Sequence, residues 1–158
     1  MQIRIARQII FTAIAVLLGT AICFAQENGK AKTSVPGTQG DQQVIRSSPA
    51  YAEILLRKTE LQASLESMLS EYTDEYPKVL EARYSLQILQ RESDRVMNVK
   101  PADSGRLTLA LGRLIVRKVE LETELWTLLK TYKDEHPEVK RARRKVDIFE
   151  AAIKEILG

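Results

Sequence analysis

The chain has 158 residues, 44% of them apolar and 28% charged, a composition that fits one modest globular or coiled-coil domain and argues against disorder or a multidomain enzyme. Aromatics at 6%, 7 Gly and 5 Pro are few for a sheet-rich fold with many tight turns, so an all-α fold is expected. The formal charge of +3 overstates the basic character, because setting aside Arg4 and Arg7, the only charged residues of 1–25, leaves 22 bases against 21 acids.

Residues 1–25 read as a cleaved signal peptide: Arg4 and Arg7 precede an apolar run from Ile9 to Phe24, and Cys23-Phe24-Ala25 offers small residues where a signal peptidase reads. The protein is therefore expected to be exported, periplasmic or secreted, with an uncleaved N-terminal membrane anchor as the alternative. Cys23 is the only cysteine, so the mature chain would carry no disulfide, no thiolate nucleophile and no cysteine metal site. Acylation of Cys23 is disfavoured by the bulk of Ile22 before it.

Residues 26–47 hold three Gly, one Pro and no apolar periodicity, the composition of a flexible linker. At Ser48-Pro49 a good N-cap meets a proline suited to a first helical turn, which predicts a helix start.

An internal repeat appears when the sequence is slid past itself by sixty positions. Residues 54–93 lie without a gap over 114–153, and fourteen of the forty positions are identical, among them Arg57/Arg117, Lys58/Lys118, Tyr72/Tyr132, Asp74/Asp134, Pro77/Pro137, Arg83/Arg143 and Ile88/Ile148. The chain thus divides into unit one (48–98), a connector (99–105) and unit two (106–158).

Within each unit apolar residues step by three and four. In the second, Leu107, Leu111, Leu114, Lys118, Leu121, Leu125, Leu128 and Tyr132 form a heptad seam, continued after the proline by Val139, Ala142, Val146, Phe149, Ile153 and Ile156. A helix from about Arg106 to Lys133 would be on the order of 40 Å long. Between the seams stands Tyr-x-Asp-Glu-(Tyr/His)-Pro. Pro77 and Pro137 lack an amide proton and push the preceding residue from helical angles, so the helix should stop and restart, with Asp74 and Asp134 capping the new one. Each unit then reads as an antiparallel helical hairpin, and the two in tandem as a coiled-coil or four-helix arrangement; a kinked continuous helix is the alternative. Unit one holds six bases and nine acids, net −3, and residues 106–158 twelve and nine, net +3, which favours docking of one on the other within or between chains.

Candidate sites follow from the repeat. The tips, Tyr72, Asp74, Tyr76 and Pro77 with Tyr132, Asp134, His136 and Pro137, are expected to contact a partner: another envelope protein, or a second copy in a homo-oligomer. His136 is the only histidine and aligns with Tyr76, so it reads as tip packing rather than a catalytic or metal-binding imidazole. The basic run Lys140, Arg141, Arg143, Arg144 and Lys145 could meet the acidic unit, an anionic glycan or lipid head groups, whereas export argues against nucleic acid. Lys58 and Lys118 stand where the seam should be apolar and read as snorkelling lysines. Trp126 reads as flank packing or a contact between units. No acid, base and nucleophile converge, so neither enzyme nor cofactor is expected.

The segment LLKTYKDEHPEVKRARRKVDIFE and its copy MLSEYTDEYPKVLEARYSLQILQ resemble the periplasmic coiled-coil region of bacterial polysaccharide chain-length determinants, the Wzz/GumC-type co-polymerases. Leu128, Tyr132, His136, Pro137 and Val139 match that family's Leu-x-x-x-Tyr-x-x-x-His-Pro-x-Val pattern, and Met68, Tyr72, Tyr76, Pro77 and Val79 match it with two replacements. The resemblance covers about forty residues in each copy and only the stalk of such proteins, with no nucleotide-binding motif beside it. It implies an exported helical-hairpin module serving an envelope or exopolysaccharide assembly. A periplasmic chaperone or envelope-stress sensor that clamps unfolded clients is the competing expectation.

Overall fold

The computed structural model describes residues 37–158, and the signal-peptide reading and the first part of the linker lie outside them. The described residues are all-α: α1 (Gly37–Arg46), α2 (Pro49–Leu69), α3 (Pro77–Met97), a short 3-10 turn at Pro101–Arg106, α4 (Leu109–Leu129) and α5 (Pro137–Leu157).

Three of the five helices begin on a proline, as the fixed φ and missing amide of that residue favour. Ser48 caps α2, its hydroxyl accepting from the Tyr51 amide at 3.3 Å. The expectation that Asp74 and Asp134 cap α3 and α5 is corrected. Tyr76 and His136 occupy those cap positions, while Asp74 binds Arg83 and Asp134 binds Arg143, because a guanidinium six residues into the helix offers each carboxylate a full opposite charge. Helix α4 begins at Leu109 rather than near Arg106; the 3-10 turn occupies the connector, and Thr108 caps α4 by accepting from the Leu111 amide at 3.3 Å.

The linker expected over 26–47 is also corrected near its end, where Gly37–Arg46 form α1. Ile45 is only 2% exposed and joins the core, so one apolar side chain fixes a polar helix against α2, α3 and the 3-10 turn.

Helix α4 sits at the centre, packed on α5, α2 and α3. Pairs across the interfaces give the directions. Ala50 meets Gly112 and Arg57 reaches Glu120, so α2 and α4 run the same way; Ser85 meets Thr123 and Glu92 meets Lys118, so α3 runs against α4. A helix with neighbours on two sides needs two apolar stripes. The seam residues Leu111 and Leu121, with Leu107 just before the helix, are buried, and a second stripe of Ile115 and Val119, extended by the polar Thr123, is buried beside them. Ile54, Ile88, Leu89, Val96 and Ile153 complete the core, each at most 1% exposed and each contributing about 1.5–3 kcal/mol by leaving water. Gly112 allows the closest approach, since a Cβ there would stand 2.8 Å from Glu53 Cβ and 2.9 Å from Ala50 Cα.

Candidate functional site

The turns 70–76 and 130–136 are built alike. After each helix ends, the tyrosine amide bonds back to the carbonyl four residues earlier, Tyr72 to Met68 and Tyr132 to Leu128, both at 2.8 Å. The residue before each proline then bonds back three positions, Tyr76 to Thr73 and His136 to Lys133, both at 3.0 Å. These bonds bring the two aromatics of each turn face to face. Tyr72 and Tyr76 stack with centroids 4.2 Å apart, and Tyr132 and His136 at 4.1 Å. Such a stack is worth roughly 0.5–1.5 kcal/mol beyond its buried area. The Asp74–Arg83 and Asp134–Arg143 pairs brace each turn to the following helix. Tyr72 remains 45% and Tyr132 38% exposed, so each turn offers an ordered aromatic face to solvent. His136 also accepts at Nδ1 from the Glu138 amide at 3.3 Å, a capping role that Tyr76 lacks.

Because α2 and α4 run in the same direction, both turns lie at one end of the described helices. Below them a groove of about 480 Å³ opens between α2, α3 and α4, lined by Leu61, Met68 and Leu128 together with Lys78, Glu81 and Glu124. Trp126 of α4 stacks on Tyr84 of α3 at 4.5 Å, and Lys130 covers its ring at 3.3 Å. This makes Trp126 a contact between the units.

The basic run is divided by its pairing. Arg143 is held by Asp134 at 2.7 Å and Arg141 lies 3.7 Å from Glu138, whereas Lys140, Arg144 and Lys145 are exposed and make no ion pair with any described residue.

The main feature that sequence reasoning missed is the surroundings of Lys118. It is 6% exposed rather than snorkelling, and its Nζ lies 2.6 Å from Glu92 of α3, 2.7 Å from Glu150 of α5 and 3.2 Å from Glu122 of its own helix. Arg95 also reaches Glu150 at 3.2 Å. Burial is the largest influence on the Lys118 ammonium and opposes its charge, but the hydrogen bonds to Glu150 and Glu92 and the charges of Glu92 and Glu122 together outweigh it, and its pKa is pushed up to about 12. Burial likewise acts to raise Glu150, and Lys118 with Arg95 overcomes it to hold that carboxyl below its ordinary range. The first unit keeps a weaker form: Lys58 donates to Gln90 at 2.6 Å, and Gln90 is sixty positions before Glu150. The carboxylates thus enclose an ammonium, and among the described residues no group of three or more His, Cys, Asp or Glu is arranged to hold a metal ion.

Among the described residues no helix is long and apolar enough to cross a membrane. Compared with protein-family models, with curated proteins and with solved structures, the chain has no match.

Proposed function

We propose that the chain is a non-catalytic interaction protein built as two tandem antiparallel helical hairpins in a four-helix arrangement. In this reading it is exported and serves as a structural or assembly partner in a cell-envelope or exopolysaccharide system. The observation that supports it best is the duplication of one braced, solvent-facing tip: an aromatic stack and an Asp–Arg pair occur twice, at the same end. Two equal contact points on a rigid base favour bivalent attachment, in which the second contact forms at high effective concentration. The resemblance of these turns to the chain-length determinant stalk agrees with an envelope role.

Replacing Tyr132 and His136 together by Ala tests the reading. Both are at the surface of a turn, so the far-ultraviolet circular dichroism should stay unchanged while recovery of a copurifying envelope partner falls at least about tenfold, the equivalent of about 1.4 kcal/mol. Undiminished copurification would count against it.

The groove beneath the tips favours a second reading, a chaperone or stress sensor whose clients lie against Leu61, Met68 and Leu128. Suppressed aggregation of an unfolded outer-membrane protein by the purified chain would raise this reading above the first.

A further inference from the structure

A sixty-residue repeat allows each surface of unit two to be compared with its equivalent in unit one, and one pair of surfaces differs sharply. In unit one, Ala50, Ile54, Ile88 and Leu89 are at most 1% exposed, in the core that α2 and α3 share with Leu111, Ile115 and Val119 of α4. Their equivalents in unit two are Ala110, Leu114, Ile148 and Phe149. There Ala110 is exposed, Ile148 is 66% exposed, and a shallow groove of about 620 Å³ runs over Ala110, Leu114 and Phe149. The other half of the joint is bare at the opposite side. Ile115, which α4 buries completely against unit one, has Leu55 of α2 as its equivalent, and Leu55 is 48% exposed.

We infer that these two faces meet between copies: α2 of one chain docks in the open groove on α4 and α5 of the next, in the register that α4 takes on α2 and α3 within the chain. Charges support a second copy as the occupant. Arg57 grips Glu60 with Nη1 at 3.1 Å and reaches Glu120 with Nη2 at 3.3 Å. Its equivalent Arg117 grips Glu120 with Nη1 at 2.7 Å, and its Nη2 makes no ion pair with any described residue. The repeat register sets the next copy's Glu60 against it. At the position of the Tyr84–Trp126 stack the same register brings together Arg144 and Glu66, both exposed and opposite in charge. The acidic first unit of one copy thereby lies on the basic second unit of another. Position 52 departs from the pattern: Ala52 stands where α4 has Gly112, so the copies stand slightly farther apart and bind less tightly than the units of one chain. The contact joins two different faces, so each copy keeps one face open for a further copy until a ring closes.

Sedimentation velocity on the full chain tests this. The wild-type chain should show a mass rising with concentration above the 17.9 kDa of one copy. Leu55→Asp and Ile148→Asp each block one face at an exposed position, so each should fold with unchanged helicity and sediment as a single copy. Mixed, they should form a species of twice that mass and nothing larger, because each supplies the face the other lacks. Glu66→Arg and Arg144→Glu should each weaken assembly alone and restore it when mixed. A wild-type chain that stays a single copy at all concentrations, a blocked variant that still assembles, or a mixture of the blocked variants that fails to pair would each overturn the inference.

Discussion

Lys118 shows how far a side chain's surroundings can reverse what its position suggests. In the sequence it interrupts an apolar seam; in the fold it is the positive centre of Glu92, Glu122 and Glu150. Taking an ammonium and its partners from water costs several kcal/mol per ion, so the cluster adds little net stability over a well-packed apolar one. Removing the cation alone is different, because the carboxylates then repel one another, and Glu92 already has one buried oxygen without a hydrogen-bond partner. Lys118→Ala is therefore expected to destabilise the fold by about 3–5 kcal/mol, read as a lower midpoint of urea unfolding. Lys58→Ala removes the equivalent lysine where it bonds only the neutral Gln90 near the surface, and should cost no more than about 1 kcal/mol. The oddity of Lys118 was legible in the sequence. Its partners were not, since Glu92 and Glu150 stand 26 and 32 positions away and reach it only through the packing of α3 and α5 on α4.

At the scale of the helix, the positions of Pro49, Pro77 and Pro137 set three starts that the sequence allowed to be read, since proline acts locally through its own ring. The aromatic character of each tip was legible too, but the stacking of Tyr72 on Tyr76 and of Tyr132 on His136 was not, since it depends on the path of the turn between them. Helix α1 was not: its short, polar stretch would be marginal alone, and Ile45 acquires its value only when other elements enclose it. The second stripe of α4 was equally hidden, because a heptad seam describes one partner and α4 has three. Gly112 tests that crowding. Alanine there would gain up to about 1 kcal/mol of helix propensity, but its Cβ would fall 2.9 Å from the Ala50 Cα and 3.0 Å from the Ala50 carbonyl oxygen, which are backbone atoms and cannot rotate away. Overpacking of this kind costs about 1–3 kcal/mol, so Gly112→Ala should be net destabilising in thermal unfolding. Gly105, whose Cβ would meet nothing, serves as the control.

At the scale of the whole molecule, the ion cluster ties α3 of the first unit to α4 and α5 of the second, so its titration should act on their common unfolding. The signs are opposite at the two ends of the pH range. Glu150 is held below its ordinary value of 4.5, so near that pH the unfolded chain binds more protons than the folded one. Its contribution is complete above 4.5 and is lost as pH falls through the depressed value. Lys118 is raised from 10.5 to about 12, so its contribution is complete below 10.5 and is lost as pH rises through about 12. The cluster's share of stability should therefore be level from about pH 5 to 10 and fall on both sides. Urea midpoints measured across pH would show this. Glu150→Gln should lower the plateau and flatten the acid slope, because the variant keeps the shape of the side chain and removes the proton whose binding drives that slope. An acid slope equally steep in Glu150→Gln would place its origin in other carboxylates and leave Glu150 without a role in acid unfolding.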